Sequence, residues 1–268
     1  MNESTVPLLV VGGLTKCHAI PSRTWTRAEA ASVCTVRDVS FTLERGEVLG
    51  IIGESGSGKT TLARMLLRLV EPTSGSVRLD GRDVLQMDAN EERSFLRPRA
   101  RMIFQDPDSA LNPAYTIGVG LARAIRLHDR AIIDTDVEAR VRTLLDAVGL
   151  PASTARQYPD QLSGGEKRRI GISRALCTNP SLLVADEPLS GLDVVLQEHV
   201  LSLLLAEQAR RQFGLLLVSH DLDRVRQVCD RVLVMHEGRV VETVAVQRGV
   251  ALRAYSPPPS YSPSISVL

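Results

Sequence analysis

A glycine-rich segment near the start of the chain has the spacing of a phosphate-binding loop. Residues 53–60 read GESGSGKT, which fits the pattern GxxxxGK followed by Ser or Thr. Glycines let the backbone curl so that successive N–H groups face one anion, and a following helix adds positive partial charge there. Lys59 can reach the β- and γ-phosphates of a nucleotide, and the Thr60 hydroxyl can ligate Mg²⁺. The predicted nucleotide contacts of this loop are Gly53, Glu54, Ser55, Gly56, Ser57, Gly58, Lys59, Thr60 and Thr61.

Two adjacent carboxylates, Asp186 and Glu187, follow the apolar run 182–185. In parallel sheets, ligands bind at the carboxyl ends of the strands. Asp186 is therefore a candidate to hold Mg²⁺ through water, and Glu187 is a candidate to polarise an attacking water. Together with the glycine-rich loop, these acids predict a site that hydrolyses a nucleoside triphosphate.

Short apolar runs and helical patterns alternate around these residues. Apolar runs bounded by turn residues predict buried strands. These runs are 48–52, 182–185, 215–218 and 232–235. Helical periodicity covers 60–70, 136–148, 166–177, 196–211 and 222–228. The alternation predicts a mostly parallel sheet with both faces covered, while 36–43 and 77–79 suggest a small antiparallel layer.

The domain organisation follows from where these patterns change. We expect a nucleotide-binding core with its antiparallel layer over 1–107 and 175–245. Residues 108–174 have helical patterns and no convincing strand, which predicts an inserted helical subdomain. Residues 246–268 include the stretch SPPPSYSP, and its prolines predict a weakly ordered tail.

Composition restricts the classes of protein. The chain has 268 residues, a formal net charge of +1 and 3% aromatic residues. A protein that binds nucleic acid mainly through phosphates needs a basic surplus, and single-strand binding needs stacking rings, so both are disfavoured. No run approaches the roughly 20 apolar residues of a membrane-spanning helix. The four cysteines form no CxxC pair, so they are interpreted as buried or incidental thiols. They are Cys17, Cys34, Cys177 and Cys229.

A third motif makes a family resemblance visible. Residues 162–166 read LSGGE and lie about 20 residues before the acidic strand. With Gln105, Asp193 and His220, this motif makes the chain similar to the ATP-binding-cassette (ABC) ATPases over about residues 6–242. The resemblance implies an α/β fold of the P-loop NTPase (RecA-like) type. Its expected parts are a parallel sheet, a small antiparallel β layer and an inserted helical subdomain.

The resemblance also implies roles for the matching residues. Ser163, Gly164, Gly165 and Asp193 would contact a nucleotide held by a second cassette, because in this family the signature loop of one subunit caps the ATP of another. Gln105 would sense Mg²⁺ and the γ-phosphate, and His220 would contact the γ-phosphate. The implied catalytic residues are Glu187, His220, Gln105 and Lys59. The implied Mg²⁺ ligands are Thr60, Gln105 and Asp186, with ATP and Mg²⁺ as cofactors.

The sequence around Gln105 restricts the resemblance to one group of importers within the family. Residues 104–107 read FQDP and residues 109–113 read SALNP, as in importers of peptides, nickel and opine metallophores. This implies an ATP-hydrolysing subunit that pairs with a second cassette, identical or similar. It would bind permease subunits at the cytoplasmic face of the inner membrane, and would depend indirectly on a substrate-binding protein. The alternatives are a non-transport cassette in an enzyme or nucleic-acid complex, and a regulatory cassette whose partner does most of the hydrolysis.

The chain departs from the family pattern where adenine is expected to stack. Relatives carry an aromatic ring there, whereas this sequence offers His18 or Cys17 at that position, or Trp25 from a nearby loop. The resulting hypothesis is weak discrimination between ATP and GTP. Relatives also extend further at the C-terminus with an HPYT-like element, of which only Tyr255 is found here.

Overall fold

The computed structural model describes residues 6–19, 32–106, 108, 111–128 and 132–246. Within these residues the strands form one sheet of six and one of four. The strands are β1 (Leu9–Ala19), β2 (Ser32–Leu43), β3 (Val48–Gly53), β4 (Ser74–Leu79), β5 (Arg82–Asp83), β6 (Ala100–Ile103), β7 (Leu182–Asp186), β8 (Gly214–Val218), β9 (Arg231–His236) and β10 (Arg239–Ala245).

The helices lie between these strands. They are α1 (Lys59–Leu66), α2 (Ala89–Glu91), α3 (Arg97–Arg99), α4 (Ile117–His128), α5 (Asp134–Asp146), α6 (Gly164–Leu176), α7 (Val194–Arg211) and α8 (Leu222–Val228). A π-helical turn, Glu92–Leu96, connects α2 to α3. Among the described residues, no helix combines the length and the apolar character that crossing a bilayer requires.

The six-stranded sheet has the order β10-β9-β3-β8-β7-β6. Neighbouring strands are parallel except β10, which is antiparallel to β9. Every residue of β7 and β8 is buried, which explains their unbroken apolar sequences. The predicted α/β fold with a parallel sheet is confirmed. The sequence patterns did not reveal β6, whose four residues ARMI include an arginine, or β10, which is mostly exposed.

The four-stranded sheet is the antiparallel layer, with the order β2-β1-β4-β5. The two segments predicted for this layer are β2 and β4, but they are not neighbours, because β1 lies between them. A core of buried residues joins this layer, α1 and one face of the six-stranded sheet. The layer therefore packs against α1 and the main sheet, between which the glycine-rich loop lies.

Helices α4, α5 and α6 lie between β6 and β7 in the chain. Their buried residues pack with the other face of the main sheet in a second core. The sequence patterns predicted α5 and α6, whereas α4 was missed. The domain bounds at 107/108 and 174/175 stay a prediction, and the Ser/Pro-rich tail lies outside the described residues.

The interpretation of all four cysteines as free thiols is wrong for two of them. Cys17 in β1 faces Cys34 in β2 across the antiparallel ladder, and their sulfur atoms are bonded. Sequence spacing could not show this, because strand register brings the two residues together. Cys177 and Cys229 are buried and free.

Candidate nucleotide and catalytic site

The glycine-rich loop connects the end of β3 to the start of α1. Two of its glycines are required by the close approach of other backbone segments. Gly58 has φ +97° and a Cβ there would overlap the carbonyl oxygen of Thr35. Gly53 has φ +154° and a Cβ there would overlap the carbonyl oxygen of Met235. The loop is therefore wedged between β2 and β9, which holds its amides beside the N-terminus of α1.

Lys59 folds back onto this loop. Its Nζ donates hydrogen bonds to the carbonyl oxygens of Gly53 and Glu54, both at 2.7 Å. The side chain is buried, and burial lowers the pKa of the Lys59 ammonium from its ordinary value, opposed by the charges of Glu187, Asp186 and Glu54. A desolvated ammonium surrounded by carbonyl oxygens is well placed to exchange them for phosphate oxygens.

Thr60 and Asp186 meet although they are far apart in the chain. The Thr60 hydroxyl donates to Asp186 Oδ1 at 3.1 Å. Asp186 ends the buried strand β7 and is 1% exposed, and burial raises the pKa of its carboxyl, which the Thr60 hydrogen bond partly offsets. A hydroxyl and a carboxylate oxygen are ligands that suit Mg²⁺, so the residues present fit this ion.

Glu187 and His220 form a pair at the same edge of the sheet. Glu187 Oε2 lies 2.9 Å from His220 Nδ1, and the Glu187 N–H donates to the carbonyl oxygen of Val218 at the end of β8. Glu187 has a positive φ of 47°, an uncommon conformation for a non-glycine residue that turns the chain sharply after β7. The Glu187 side chain is 17% exposed and that of His220 is 66% exposed. The carboxylate therefore reaches solvent beside the His220 ring.

Gln105 follows the end of the neighbouring strand. Ile103 in β6 pairs with Ala185 in β7, so Gln105 and Glu187 each lie two residues beyond a matched pair. The Gln105 carbonyl oxygen accepts a 2.6 Å hydrogen bond from Arg168. Sequence reasoning missed Arg168. The sequence signal that could have found it is its spacing. Arg168 lies three residues after Gly165 and four before Ile172, which places all three on one face of α6, and that face is buried.

The signature residues lie at the start of α6. The Ser163 side chain caps this helix, accepting from the Glu166 N–H at 3.3 Å and donating to Glu166 Oε2 at 2.7 Å. These bonds to Ser163 lower the pKa of the Glu166 carboxyl. The Asp193 side chain caps α7 by accepting from the Leu196 N–H at 2.9 Å. Among the described residues, the hydrogen bonds of Ser163 and Asp193 stay at their own helices and do not reach the glycine-rich loop.

The candidate adenine contacts lie on β1. His18 is exposed and pairs with Val33 of β2, two residues before the Thr35 carbonyl that touches Gly58. Cys17 is bonded to Cys34, so its thiol is not free. The third candidate, Trp25, lies outside the described residues. Of the candidates that the structure describes, His18 is the exposed ring near this end of the loop.

A phosphate loop between β3 and α1, with two acids at the end of β7, the parallel strand next but one to β3, defines a P-loop nucleoside triphosphatase. The sequence profile of the ABC transporter family matches residues 36–190, and the chain belongs to this family. It is an ATPase, the nucleotide-binding subunit type of that family.

Curated relatives carry import functions in their names. The chain is 44% identical over 238 residues to a putative peptide import ATP-binding protein of Brucella ovis, covering 88% of this chain and 71% of the relative. It is 42% identical over 216 residues to the oligopeptide transport ATP-binding protein AppF of Bacillus subtilis, covering 80% and 65%. The glutathione import ATP-binding protein GsiA of Salmonella choleraesuis is 40% identical over 232 residues, covering 82% and 37%.

Solved structures with the same fold are ABC cassettes. The dimeric post-hydrolysis state of MJ0796, bound to ADP and Pi, has a TM-score of 0.78 and 26% identity, covering 89% of this chain and 99% of that one. The cbiO1 subunit of an ABC transporter complex of Clostridium perfringens has a TM-score of 0.74 and 26% identity, covering 88% of each chain.

Proposed function

We propose that this chain hydrolyses ATP to energise a peptide importer. The supporting observation is the assembled phosphate site in a chain 44% identical to a peptide import ATP-binding protein over 88% of its length. The names of two other related importers, for oligopeptides and glutathione, favour peptides over nickel or metal–opine complexes.

ATP would bind with its phosphates against the loop amides, the N-terminus of α1 and Lys59. Thr60 and Asp186, already 3.1 Å apart, would hold Mg²⁺ together with Gln105. Bound there, the ion would neutralise charge on the phosphate oxygens as the terminal bond breaks. Burial of Lys59 keeps its positive charge in a low-dielectric environment, where its attraction for phosphate is stronger than in water.

Glu187 would orient the attacking water and polarise it toward the γ-phosphate. His220, 2.9 Å from Glu187 Oε2, would steady the carboxylate and contact the γ-phosphate when the nucleotide is bound. In-line hydrolysis requires the attacking water and the leaving oxygen to lie on opposite sides of the γ-phosphorus, and Glu187 would hold the water on its side.

The complete site would need a second cassette. Ser163, Gly164, Gly165 and Asp193 would then face the phosphates held by the partner's loop. Val194 and Val195, next to Asp193, are 67% and 80% exposed, and such apolar side chains favour burial against a partner. The dimeric state of MJ0796 is consistent with this arrangement. We place the assembly on the cytoplasmic face of the inner membrane, where residues 105–113 would contact the permease.

The Glu187→Gln variant tests the assignment of the base. We expect MgATP to bind and two chains to close, because the amide keeps the size of the side chain, while steady-state hydrolysis is nearly abolished. Hydrolysis is followed by phosphate release, and dimerisation by size-exclusion chromatography with MgATP. The matched control is Glu242→Gln on the exposed strand β10, which should hydrolyse ATP like the wild type. Undiminished turnover in Glu187→Gln would contradict the role.

The transported solute is tested separately. The full chain is purified from its native membranes together with the proteins that it binds, and the ligand of the co-purified binding protein is identified by mass spectrometry. Peptides support the proposal. Nickel or a metal–opine complex would overturn the peptide assignment but not ATP hydrolysis, and co-purified nucleic acid would favour the non-transport alternative.

A further inference from the structure

Arg168 is a buried cation that the proposed hydrolysis mechanism does not use. It lies one turn into α6 and is 3% exposed. A buried guanidinium is costly unless its donors are satisfied, so its hydrogen-bond partners indicate why it is retained.

Those partners are backbone carbonyls of two different loops. One terminal nitrogen, Nη1, donates to Phe104 at 3.1 Å and to Gln105 at 2.6 Å. The other, Nη2, donates to Ser190 at 2.9 Å. A single planar side chain therefore bridges the loop that follows β6 and the loop that follows β7.

Both loops bear directly on the phosphate site. Gln105 is a proposed Mg²⁺ ligand. Ser190 closes the turn that begins at Glu187, because its N–H donates to the Glu187 carbonyl oxygen at 3.2 Å. Arg168 thus fixes the far end of the turn that carries the proposed base.

The same helix begins with the signature residues. Ser163 caps α6, and Arg168 lies five residues further along it. Next to Arg168, Lys167 forms an ion pair with Asp108 at 2.7 Å, a second link between α6 and the segment after β6. A movement of the signature end of α6 would therefore be carried to both loops.

We propose that Arg168 is a positioning residue that holds Gln105 and the Glu187 turn in register with the signature helix. Closure of a second cassette on Ser163 would then set the geometry of the residues that act on this chain's own nucleotide. The inference rests on the proposed hydrolysis between two cassettes. Its consequence is that losing Arg168 impairs turnover and leaves nucleotide affinity intact, since the glycine-rich loop and Lys59 do not contact it in the described hydrogen bonds.

The test compares Arg168→Ala and Arg168→Lys in the full chain. We expect Arg168→Ala to lower kcat at least tenfold, with KM for ATP within twofold of the wild type. Arg168→Lys keeps the charge but not the planar fork, so it should recover part of the loss, with kcat between the other two. Tm is measured for each variant, so that a fall in kcat can be compared with any loss of stability.

The matched control is Arg140→Ala. Arg140 is a half-buried arginine on α5 that also donates to a backbone carbonyl, that of Cys177 at 2.9 Å, but contacts neither loop. It should retain wild-type kcat even if its Tm falls. The proposal is overturned if Arg140→Ala and Arg168→Ala lose kcat alike, if Arg168→Ala raises KM instead of lowering kcat, or if it turns over normally.

If Arg168→Ala does not fold, Arg168→Lys decides the test. If Arg168→Lys has wild-type kcat, the planar guanidinium is not needed and the proposal fails. With kcat reduced at unchanged KM and Tm, the proposal holds. A wild-type chain that hydrolyses no ATP would instead refute the proposed function, which separates the two failures.

Discussion

The packing of α6 against α7 can be tested by substituting one glycine. Gly165 lies in the first turn of α6, against Leu196 in the first turn of α7. A Cβ at Gly165 would overlap Leu196 Cδ2 and lie 3.1 Å from Cδ1 and 3.2 Å from Cγ. Leu196 must therefore move to accept Gly165→Ala.

Two opposing effects set the expected change in the free energy of unfolding of Gly165→Ala. Replacing glycine by alanine within a helix stabilises it by about 0.5–1 kcal/mol. Overpacking costs roughly 1–3 kcal/mol, and the lower part of this range applies because Leu196 is only partly buried. Gly165→Ala should therefore be neutral to about 1.5 kcal/mol less stable than the wild type.

Gly171→Ala supplies the matched control on the same helix. A Cβ at Gly171 meets nothing within 4 Å, so only the helical gain of about 0.5–1 kcal/mol remains. The assay is thermal unfolding of the chain without nucleotide, where 1 kcal/mol corresponds to roughly 2–4 °C in Tm. In a double-mutant cycle, adding Leu196→Ala should relieve the strain of Gly165→Ala. Equal Tm values for the two glycine variants, or no coupling to Leu196, would refute the contact.

Three further predictions concern the glycine-rich loop and the antiparallel layer. Reducing the Cys17–Cys34 bond should lower the unfolding free energy by about 3 kcal/mol, from the 17-residue separation, and a Tm indifferent to reductant would contradict it. Lys59→Met should abolish ATP binding yet raise Tm at neutral pH, because burial lowers the pKa of the Lys59 ammonium. The free-energy cost of burying the charged ammonium is present below that lowered pKa and vanishes as pH rises through it toward 10.5. A Tm gain in Lys59→Met that does not shrink at high pH would contradict this reasoning. With His18 as the exposed ring, GTP should be hydrolysed with a kcat/KM within tenfold of ATP. A larger preference, above about 1.4 kcal/mol, would argue against weak base discrimination.

Local signals were enough for the central part of the site. The glycine-rich loop, Lys59 and the two acids at the end of β7 each depend on a short segment whose residue types and flanks carry the chemistry. The buried strands β3, β7, β8 and β9 were predicted for the same reason, since strands covered on both faces are continuously apolar. Strand β10 was missed because exposed positions alternate little in hydropathy.

Other features depend on contacts between distant segments. The bond between Cys17 and Cys34 requires the register of β1 on β2, and no spacing rule specifies it. The three backbone partners of Arg168 lie in two loops that are distant from it in the chain, so only the tertiary structure shows them.

The sequence by itself determined the class of chemistry, because phosphate binding needs a fixed spacing of glycines, a lysine and a hydroxyl within one short, continuous segment of the chain. Only the tertiary structure decided which groups meet. Thr60 and Asp186 are separated by 126 residues, and Glu187 and His220 by 33. The strand order β3-β8-β7 brings them together, since the carboxyl ends of adjacent parallel strands share one edge of the sheet.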